Sequence, residues 1–252
     1  MIEVFTEHYA DTAVLHACPA GMRTTPLPTV VFYHGFSSSK TVYSYCAVAL
    51  AMAGIRVIMP DAAEHGDRYY GDNTGRLTHF WHILYQNLVE YPRLRDAILA
   101  TGQVLPGALG VGGASMGGMT ALGIMARHPE VACAASLMGS GFYAPLARTL
   151  FPPLPLTSRE AEATFGQIMA PLADYEASVN LRTLSDRPLF LWHGLDDDVV
   201  PAADSLRLQH QLLEQGGAAL LTCQWQAGVR HRVTPEALEA TVRFFAQHLP
   251  GA

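Results

Sequence analysis

The sequence predicts an α/β fold with a mostly parallel central sheet and helices on both of its faces. Short apolar runs typical of strands alternate with longer helix-like runs, which is the pattern of a parallel sheet covered by helices. Half of the 252 residues are apolar and only 15% are charged, so the chain can bury one large core. The length suits a single α/β domain, and we expect residues 1–252 to form one.

Eight runs have the composition of strands. The first two are close enough in sequence to pair with each other, and the later ones are short, apolar and rich in β-branched residues. Polar residues and glycines follow directly after several of them, as expected where a strand ends. The predicted strands are 2–8, 12–17, 29–33, 55–59, 108–113, 131–137, 188–192 and 220–225.

The helix-like runs fall between these strands. Pro92 is expected to break the second helix or to start a new one, because proline lacks the backbone N–H that a helix interior needs. Residues 62–75, rich in Gly, Asp and Asn, predict a loop. The predicted helices are 42–53, 77–99, 119–127, 206–215 and 235–248.

The segment 139–187 does not fit the alternation, because it is longer than one crossover helix. Its first part is aromatic and then proline-rich, and residues 159–175 have helical spacing. We interpret the segment as a helical cap inserted over one end of the sheet. The alternative is an ordinary pair of crossover helices.

Composition and charge disfavour several classes of protein. The 16 Lys and Arg residues against 22 Asp and Glu residues give a net charge of −6, so no basic excess points to nucleic acid. No apolar run reaches the length of about 18 residues that a membrane span requires. The N-terminal residues show no secretion signal, and the four cysteines form no CxxC pair. We therefore expect a cytoplasmic protein with reduced thiols.

The sequence around Ser115 predicts a nucleophile. Residues 113–117 read Gly-Ala-Ser-Met-Gly, a GxSxG pattern that follows an apolar strand and opens a helix. A serine on such a sharp turn has an exposed hydroxyl, and only small neighbours fit beside it. The alternative is a turn of small residues that merely packs a helix on the sheet.

A serine hydroxyl needs a base, and the base needs an acid that orients it. Three adjacent aspartates follow the strand at 188–192, and His231 follows the last strand. The order Ser, Asp, His is the one that this sheet architecture uses. From the residues alone, any of these aspartates could be the acid; they are Asp196, Asp197 and Asp198.

At this point the chain resembles the α/β-hydrolases over nearly its whole length. The pattern HGxxDxxVP is matched at residues 193–201, GxxH at 228–231 and the HGx element at 34–36. Residues 32–36, 57–61 and 192–198 look most similar to bacterial YjfP-type esterases, which are related to dienelactone hydrolases. The nucleophile of dienelactone hydrolases is a cysteine, and the serine of this chain favours an esterase.

The resemblance implies the role of each site residue. Ser115 would be the nucleophile, His231 the base and Asp197 the acid, and backbone N–H groups of Met116 and Phe36 would hold the oxyanion. Ser37 is the alternative to Phe36. We expect an apolar substrate pocket that also includes four further side chains: Trp81, Phe142, Tyr143 and Leu146.

No metal or cofactor is expected. His79 and His82 are spaced i, i+3 on a predicted helix, but no carboxylate stands at a fixed spacing beside them, and a surface pair is the better interpretation. Residues 65–68 could line the site or form a plain turn. Arg230 and Arg232 flank His231, where a positive charge would disfavour an imidazolium. Four interpretations are open: the arginines point away from His231, the aspartates neutralise them, one of them binds an anionic group of the substrate, or both are solvated.

The predicted function is hydrolysis of short-chain carboxylic esters through an acyl-enzyme. A peptidase, a thioesterase or a lactonase of the same fold is the alternative within the enzymes, and a hydrolase-fold binding protein with a silent triad is the alternative outside them. We expect a small-molecule ester as the only ligand class, no nucleic-acid or membrane partner, and a monomer or a weak homo-oligomer.

Overall fold

A computed structural model describes residues 1–71 and 75–252. Its strands are β1 (Ile2–Tyr9), β2 (Thr12–Pro19), β3 (Leu27–Tyr33), β4 (Arg56–Pro60), β5 (Val104–Ala114), β6 (Cys133–Leu137), β7 (Leu189–Gly194) and β8 (Leu221–Gln226). Within these residues all eight strands form one sheet in the order β1-β2-β4-β3-β5-β6-β7-β8. β2 pairs antiparallel with β1 and β4, and every other pairing is parallel.

Helices cover both faces of the sheet. They are α1 (Ser44–Met52), α2 (Phe80–Ala100), α3 (Met116–Arg127), α4 (Tyr143–Leu146), α5 (Arg159–Met169), α6 (Leu181–Ser185), α7 (Ala202–Glu214) and α8 (Pro235–His248). The larger apolar core lies between the sheet and α2, α3 and α7, and the other lies between the sheet and α1 and α8. Strands β3, β4, β6 and β7 are buried along their whole length because both of their faces are covered.

The β1–β2 hairpin has a two-residue turn. Ala10 (φ 49°) and Asp11 (φ 65°) both adopt left-handed backbone conformations, as a type I′ turn requires. This turn twists in the same sense as the strands it joins, although an alanine is an unusual residue for it.

Pro92 lies inside α2 and does not interrupt it, so the predicted break is wrong. A proline removes one hydrogen bond from a helix, but the residues around Pro92 bury their side chains in the core. Leu88 and Tyr91 are fully buried, and this packing stabilises the helix on the N-terminal side of the proline. The predicted loop 62–75 contains a 3₁₀ turn at Gly66–Arg68, and its residues 72–74 lie outside the described part of the chain.

The segment 139–187 contains α4, α5, α6 and short 3₁₀ turns. Much of it packs on the core beside α2 and α3. Phe151 of this segment contacts Phe36, which follows β3, with ring centroids 5.3 Å apart. The segment therefore reaches the carboxyl edge of the sheet. None of the helices in the described ranges is long and apolar enough to cross a membrane.

Candidate active site

Ser115 occupies the sharp turn between β5 and α3, with backbone angles φ 57° and ψ −119°. This strained conformation is held by two hydrogen bonds, from Ser115 N to Leu137 O (2.8 Å) and from Met119 N to Ser115 O (2.9 Å). The flanking glycines are needed because the chain passes close to β3. A Cβ on Gly117 would lie 2.0 Å from Tyr33 O, and no larger residue fits there.

The Ser115 hydroxyl begins a chain of hydrogen bonds. Its Oγ lies 2.8 Å from His231 Nε2, and His231 Nδ1 lies 2.7 Å from Asp197 Oδ2. The three side chains come from the turns after β5, β7 and β8, which all open at the carboxyl edge of the sheet. Because Nδ1 faces a carboxylate, it carries the proton and leaves Nε2 free to accept one from Ser115.

The Asp197 carboxylate is fully buried and accepts four hydrogen bonds. Burial alone would raise the pKa of Asp197, but hydrogen bonds from His193, His231 and the Val199 amide outweigh it and hold the pKa well below its usual range. The carboxylate is therefore charged throughout the neutral range, as a partner for an imidazolium must be.

The neighbouring aspartates do not touch His231 but tie its loop to the turn after β7. Asp196 Oδ2 accepts from Gly228 N at 2.5 Å, and Asp198 pairs with Arg230. Of the interpretations of Arg230, the structure shows neutralisation by an aspartate. Arg232 is exposed on the same loop.

The backbone N–H groups predicted to bind an oxyanion differ in whether they already donate a hydrogen bond within the protein. Met116 N is the first amide of α3 and has no acceptor within the helix. Ser37 N donates to His65 Nε2 at 3.0 Å, whereas Phe36 N has no hydrogen-bond acceptor in the described ranges. The geometry therefore leaves Phe36, and not Ser37, available beside Met116.

His65 was predicted either to line the site or to form a turn, and it supports the loop after β3. Its Nδ1 donates to Ala63 O at 2.7 Å, so its Nε2 is free to accept from Ser37 N. Its ring packs edge-on against Phe36, with centroids 5.1 Å apart. Burial lowers the pKa of His65 to about 4, which keeps the ring neutral and able to accept.

The other end of this loop is fixed by Lys40, the only lysine in the chain. Its buried ammonium pairs with Asp61, which follows β4, and lies 2.6 Å from Asp67. The Lys40 amide also donates to Asp61 Oδ1 at 2.8 Å. Burial would raise the pKa of Asp61, but these hydrogen bonds lower it, and the carboxylate stays charged.

An aromatic cluster lies beside Phe36. The Phe36 ring contacts Phe80 and Phe151 at centroid distances of 5.0 and 5.3 Å. Sequence reasoning missed Phe80 and Phe151, because nothing in the local pattern brings 36, 80 and 151 together. The apolar, proline-rich run around Phe151 was the one feature of the sequence that pointed to a buried contact there.

The four further side chains predicted for the pocket are almost fully buried. Tyr143 donates its hydroxyl to Met119 O at 2.8 Å, and Trp81 Nε1 donates to Leu150 O at 3.1 Å. Phe142 and Leu146 are 1% and 5% exposed. These residues form the packing between the segment 139–187 and helices α2 and α3, and their contact with a substrate stays a prediction.

Of the histidine pair predicted at the surface, His79 directly precedes α2 and His82 lies in its first turn. His79 Nδ1 contacts Glu64 Oε1 at 3.1 Å, and His82 is exposed. Among the residues with described positions, no group of three or more His, Cys, Asp or Glu side chains could hold a metal ion.

Comparison with known proteins places these features in context. The sequence profile described as the prolyl oligopeptidase family matches residues 90–251, and that of platelet-activating factor acetylhydrolase, isoform II, matches residues 4–72. The chain is 61% identical over 249 residues to esterase YjfP of Escherichia coli (strain K12), covering 99% of this chain and all of that one. YitV of Bacillus subtilis (strain 168) is 29% identical over 255 residues, covering 99% of this chain and all of YitV.

Solved structures share the fold at low sequence identity. The crystal structure of TT1662 from Thermus thermophilus superimposes with a TM-score of 0.80 at 19% identity and covers 100% of both chains. At this identity the likeness concerns the fold alone. The predicted fold class is confirmed.

Proposed function

The chain belongs to the prolyl oligopeptidase family of α/β-hydrolases, and we propose that it is a serine carboxylesterase acting on short-chain esters. The observation that carries the proposal is the continuous hydrogen-bonded chain Ser115–His231–Asp197 at a strained strand-to-helix turn. Such a chain activates a hydroxyl for attack on an acyl carbon. The full-length similarity to a protein named as an esterase selects esters among acyl compounds.

In the first half of the reaction, Ser115 Oγ attacks the ester carbonyl carbon while His231 Nε2 takes the hydroxyl proton. The resulting oxyanion accepts hydrogen bonds from the N–H groups of Phe36 and Met116. Loss of one such donor typically costs about 3–4 kcal/mol of transition-state stabilisation. The carbon–oxygen bond of the ester then breaks, and the leaving alcohol receives the proton from His231.

In the second half, water attacks the acyl group on Ser115 while His231 takes one of its protons. Collapse of the second tetrahedral intermediate releases the carboxylic acid, and the proton returns to Ser115 Oγ. Asp197 stays ionised throughout and stabilises the imidazolium that forms twice in each cycle. All proton transfers are thereby assigned to groups of this chain, so the proposal includes no metal or cofactor.

The preference for short chains is supported by the packing around the site. Trp81 of α2 and Phe142 and Tyr143 of the cap segment each have at most 1% of their surface exposed and pack between the cap segment and the helices beside it. Side chains packed this closely leave more room for an acyl group of a few carbons than for a long chain.

The remaining parts of the proposal concern the whole protein. We propose that residues 1–252 form one domain, because a single sheet runs from β1 to β8, and that 139–187 act as its cap. We further propose a cytoplasmic protein, monomeric or weakly homo-oligomeric, whose ligand is a small ester. The alternatives within the enzymes are thioester and lactone hydrolysis, which need the same triad.

Peptide hydrolysis is the second candidate, and the description of the matching family favours it. The discriminating measurement compares p-nitrophenyl esters with p-nitroanilides of the same acyl group. An esterase hydrolyses the ester and leaves the anilide nearly untouched. Comparable turnover of a blocked prolyl p-nitroanilide would replace the ester proposal with a peptidase.

The direct test measures hydrolysis of p-nitrophenyl acetate, butyrate, octanoate and palmitate by the parent and by Ser115→Ala. We expect acetate and butyrate to be turned over fastest and Ser115→Ala to lose roughly 10⁴-fold or more in kcat. A fluorophosphonate should label the parent once per chain and leave the variant unlabelled. Equal, slow rates for both proteins and no labelling would indicate a binding protein with a silent triad.

A further inference from the structure

Asp197 contacts a second histidine on the side away from His231. His193 lies in β7, its side chain is 0% exposed, and its Nε2 is 3.1 Å from Asp197 Oδ2. His231 binds the same carboxylate oxygen through Nδ1 at 2.7 Å. One oxygen atom thus lies between two imidazole rings. The reaction described above uses only one of them.

The proton positions on His193 follow from its neighbours. Nε2 faces two acceptors, Asp197 Oδ2 at 3.1 Å and Val200 O at 3.0 Å, so it must carry a proton. Nδ1 lies 2.7 Å from Ser205 Oγ, in α7. In a neutral ring the Ser205 hydroxyl donates to Nδ1. In a charged ring Nδ1–H donates to Ser205 Oγ, whose proton can then reach Gly139 O at 3.2 Å.

Both protonation states direct an N–H of His193 at Asp197. The chain of hydrogen bonds is therefore nearly symmetric about the carboxylate, with a histidine and then a serine on each side. Its members in order are Ser115, His231, Asp197, His193 and Ser205. The two halves differ in their surroundings. Ser115 and His231 face the site, whereas His193 and Ser205 are buried between β7 and α7.

The loop that carries Asp197 explains why the carboxylate needs such support. Leu195 and Val199 in this loop are 44% and 41% exposed, whereas Val200 is buried in the apolar core, so apolar packing anchors the loop at Val200 rather than at Asp197. Asp197 Oδ1 accepts from the amides of Val199 and Val200, both at 2.9 Å, but these belong to the same loop. Among the described residues, His231 and His193 are the two that join the carboxylate to another part of the fold, and His193 does so from a buried strand.

We propose that His193 is a positioning residue for the reaction, acting through Asp197. Its Nε2–H fixes Oδ2 at the place where His231 Nδ1 meets it, and Ser205 holds the ring through a hydrogen bond to Nδ1. This inference rests on the proposed function, because it assigns a role in orienting His231 for attack by Ser115. It takes no proton from the substrate and touches no reacting atom.

The test is a double-mutant cycle between His193 and Asp197, measured on p-nitrophenyl butyrate with active sites counted by fluorophosphonate. His193→Leu should lower kcat by roughly 10–100-fold with KM changed less than about threefold, since misplacing a catalytic group by 1 Å can cost about 100-fold. His193→Gln, whose amide can still donate to Oδ2, should recover most of that loss. In an Asp197→Ala background, His193→Leu should cost less than about twofold further.

Additivity would overturn the proposal: if His193→Leu lowers kcat equally with and without Asp197, the histidine acts elsewhere. Unchanged kcat in His193→Leu would overturn it as well. Should His193→Leu fail to fold, Ser205→Ala removes only the hydroxyl, and we expect a loss of about fivefold that also disappears in the Asp197→Ala background. An undiminished loss there would count against the proposal in the same way.

His16 offers a matched control, because it is also 0% exposed and contacts a carboxylate, Glu7 Oε2, at 2.6 Å. It lies on β2, away from the site. His16→Leu should lower the melting temperature, as His193→Leu does, but leave kcat per active site unchanged. Failure of the proposed function is a separate result, seen when Ser115→Ala retains the parent rate.

Discussion

Ser37 has a left-handed backbone conformation, with φ 60°, in the loop that would form the oxyanion site. A serine has no intrinsic preference for this region, so the conformation depends on what the loop contacts. The hydrogen bond from Ser37 N to His65 Nε2 supplies one such contact. The orientation of the adjacent Phe36 amide therefore depends on a histidine that follows a different strand.

Replacement of His65 should consequently impair the reaction more than binding. We expect His65→Leu to lower kcat roughly 10–100-fold with a small change in KM, because a displaced oxyanion donor is lost mainly in the transition state. His65→Gln, which can still accept from Ser37 N, should lie within about fivefold of the parent. Steady-state kinetics on p-nitrophenyl butyrate measures both.

His128→Leu is the control for this comparison, because His128 is half-buried at the opposite end of α3 from Ser115. It should leave kcat per active site unchanged. If His65→Leu behaves like His128→Leu, the Ser37–His65 hydrogen bond has no role in the reaction.

The sequence predicted individual site residues where the chemistry requires a particular residue type. It could not predict them where the choice depends on contacts between distant parts of the chain. The family resemblance favoured Asp197 over Asp196 and Asp198, and it is the Asp197 carboxylate that contacts His231. Phe36 and Ser37 could not be separated, because the decisive partner, His65, is 28 residues away. Their catalytic roles stay predictions.

Among the secondary-structure elements, the β1–β2 hairpin has a strained residue in its turn. Ala10 takes φ 49° in a turn that prefers Asn or Gly at this place. Ala10→Asn should raise the free energy of unfolding by about 0.5–1 kcal/mol, because asparagine tolerates the left-handed region better than alanine. Urea unfolding of the two proteins at pH 7 measures the difference.

The same substitution in a helix serves as the control. Ala163 is exposed in α5, where the backbone is right-handed. Ala163→Asn should lower the free energy of unfolding by about 0.5 kcal/mol, since asparagine is a poorer helix former. A loss of stability in Ala10→Asn would show that the turn conformation does not limit the hairpin.

Element boundaries show what the chain pattern cannot determine. The last helix was predicted at its observed bounds, and in the structure Pro235 begins it and the Thr234 side chain caps it. α2 was predicted to break at Pro92, since local propensity cannot register that Leu88 and Tyr91 are buried on the core. Within 139–187, only the helical spacing after 159 was visible, and the contact of Phe151 with Phe36 was not.

Across the whole molecule, buried titratable groups make stability depend on pH. Burial lowers the pKa of several histidines, so the unfolded chain binds more protons than the folded one as the pH falls below about 6.5. These histidines are His16, His34, His65, His128 and His248. Burial alone would raise the pKa of several carboxylates, but their hydrogen bonds outweigh it and lower the pKa. Below about pH 4 the unfolded chain therefore binds more protons at these groups than the folded chain does, and the free energy of unfolding decreases further. These carboxylates are Glu7, Asp61, Glu130 and Asp197.

The free energy of unfolding should therefore decrease steadily from pH 6.5 to pH 4 and more steeply below. His65→Gln removes one of the histidines and should flatten the first part of the curve. Urea unfolding at pH 7, 6, 5 and 4 measures both proteins. A parent curve that is flat between pH 7 and pH 5 would contradict the prediction.

At this scale the sequence predicted most of the architecture. The alternation of strand-like and helix-like runs indicated the parallel sheet, because buried strands are apolar throughout and their order is limited by right-handed crossovers. The extra antiparallel pair at the start of the chain was anticipated as a possible pairing of 2–8 with 12–17. The depth of the site was not predictable, since it depends on how 139–187 packs.

The ion pairs of Lys40 have a practical consequence for anyone who modifies this protein. Lys40 carries the only side-chain amine in the sequence, and in the folded state that amine is enclosed between two carboxylates beneath the loop after β3. Amine-directed dyes, cross-linkers and resin couplings should find no reactive side chain on the native surface. The rate at which Lys40 is acylated should therefore report how often that loop opens, and mass spectrometry reads it as a mass increment on the peptide that contains Lys40.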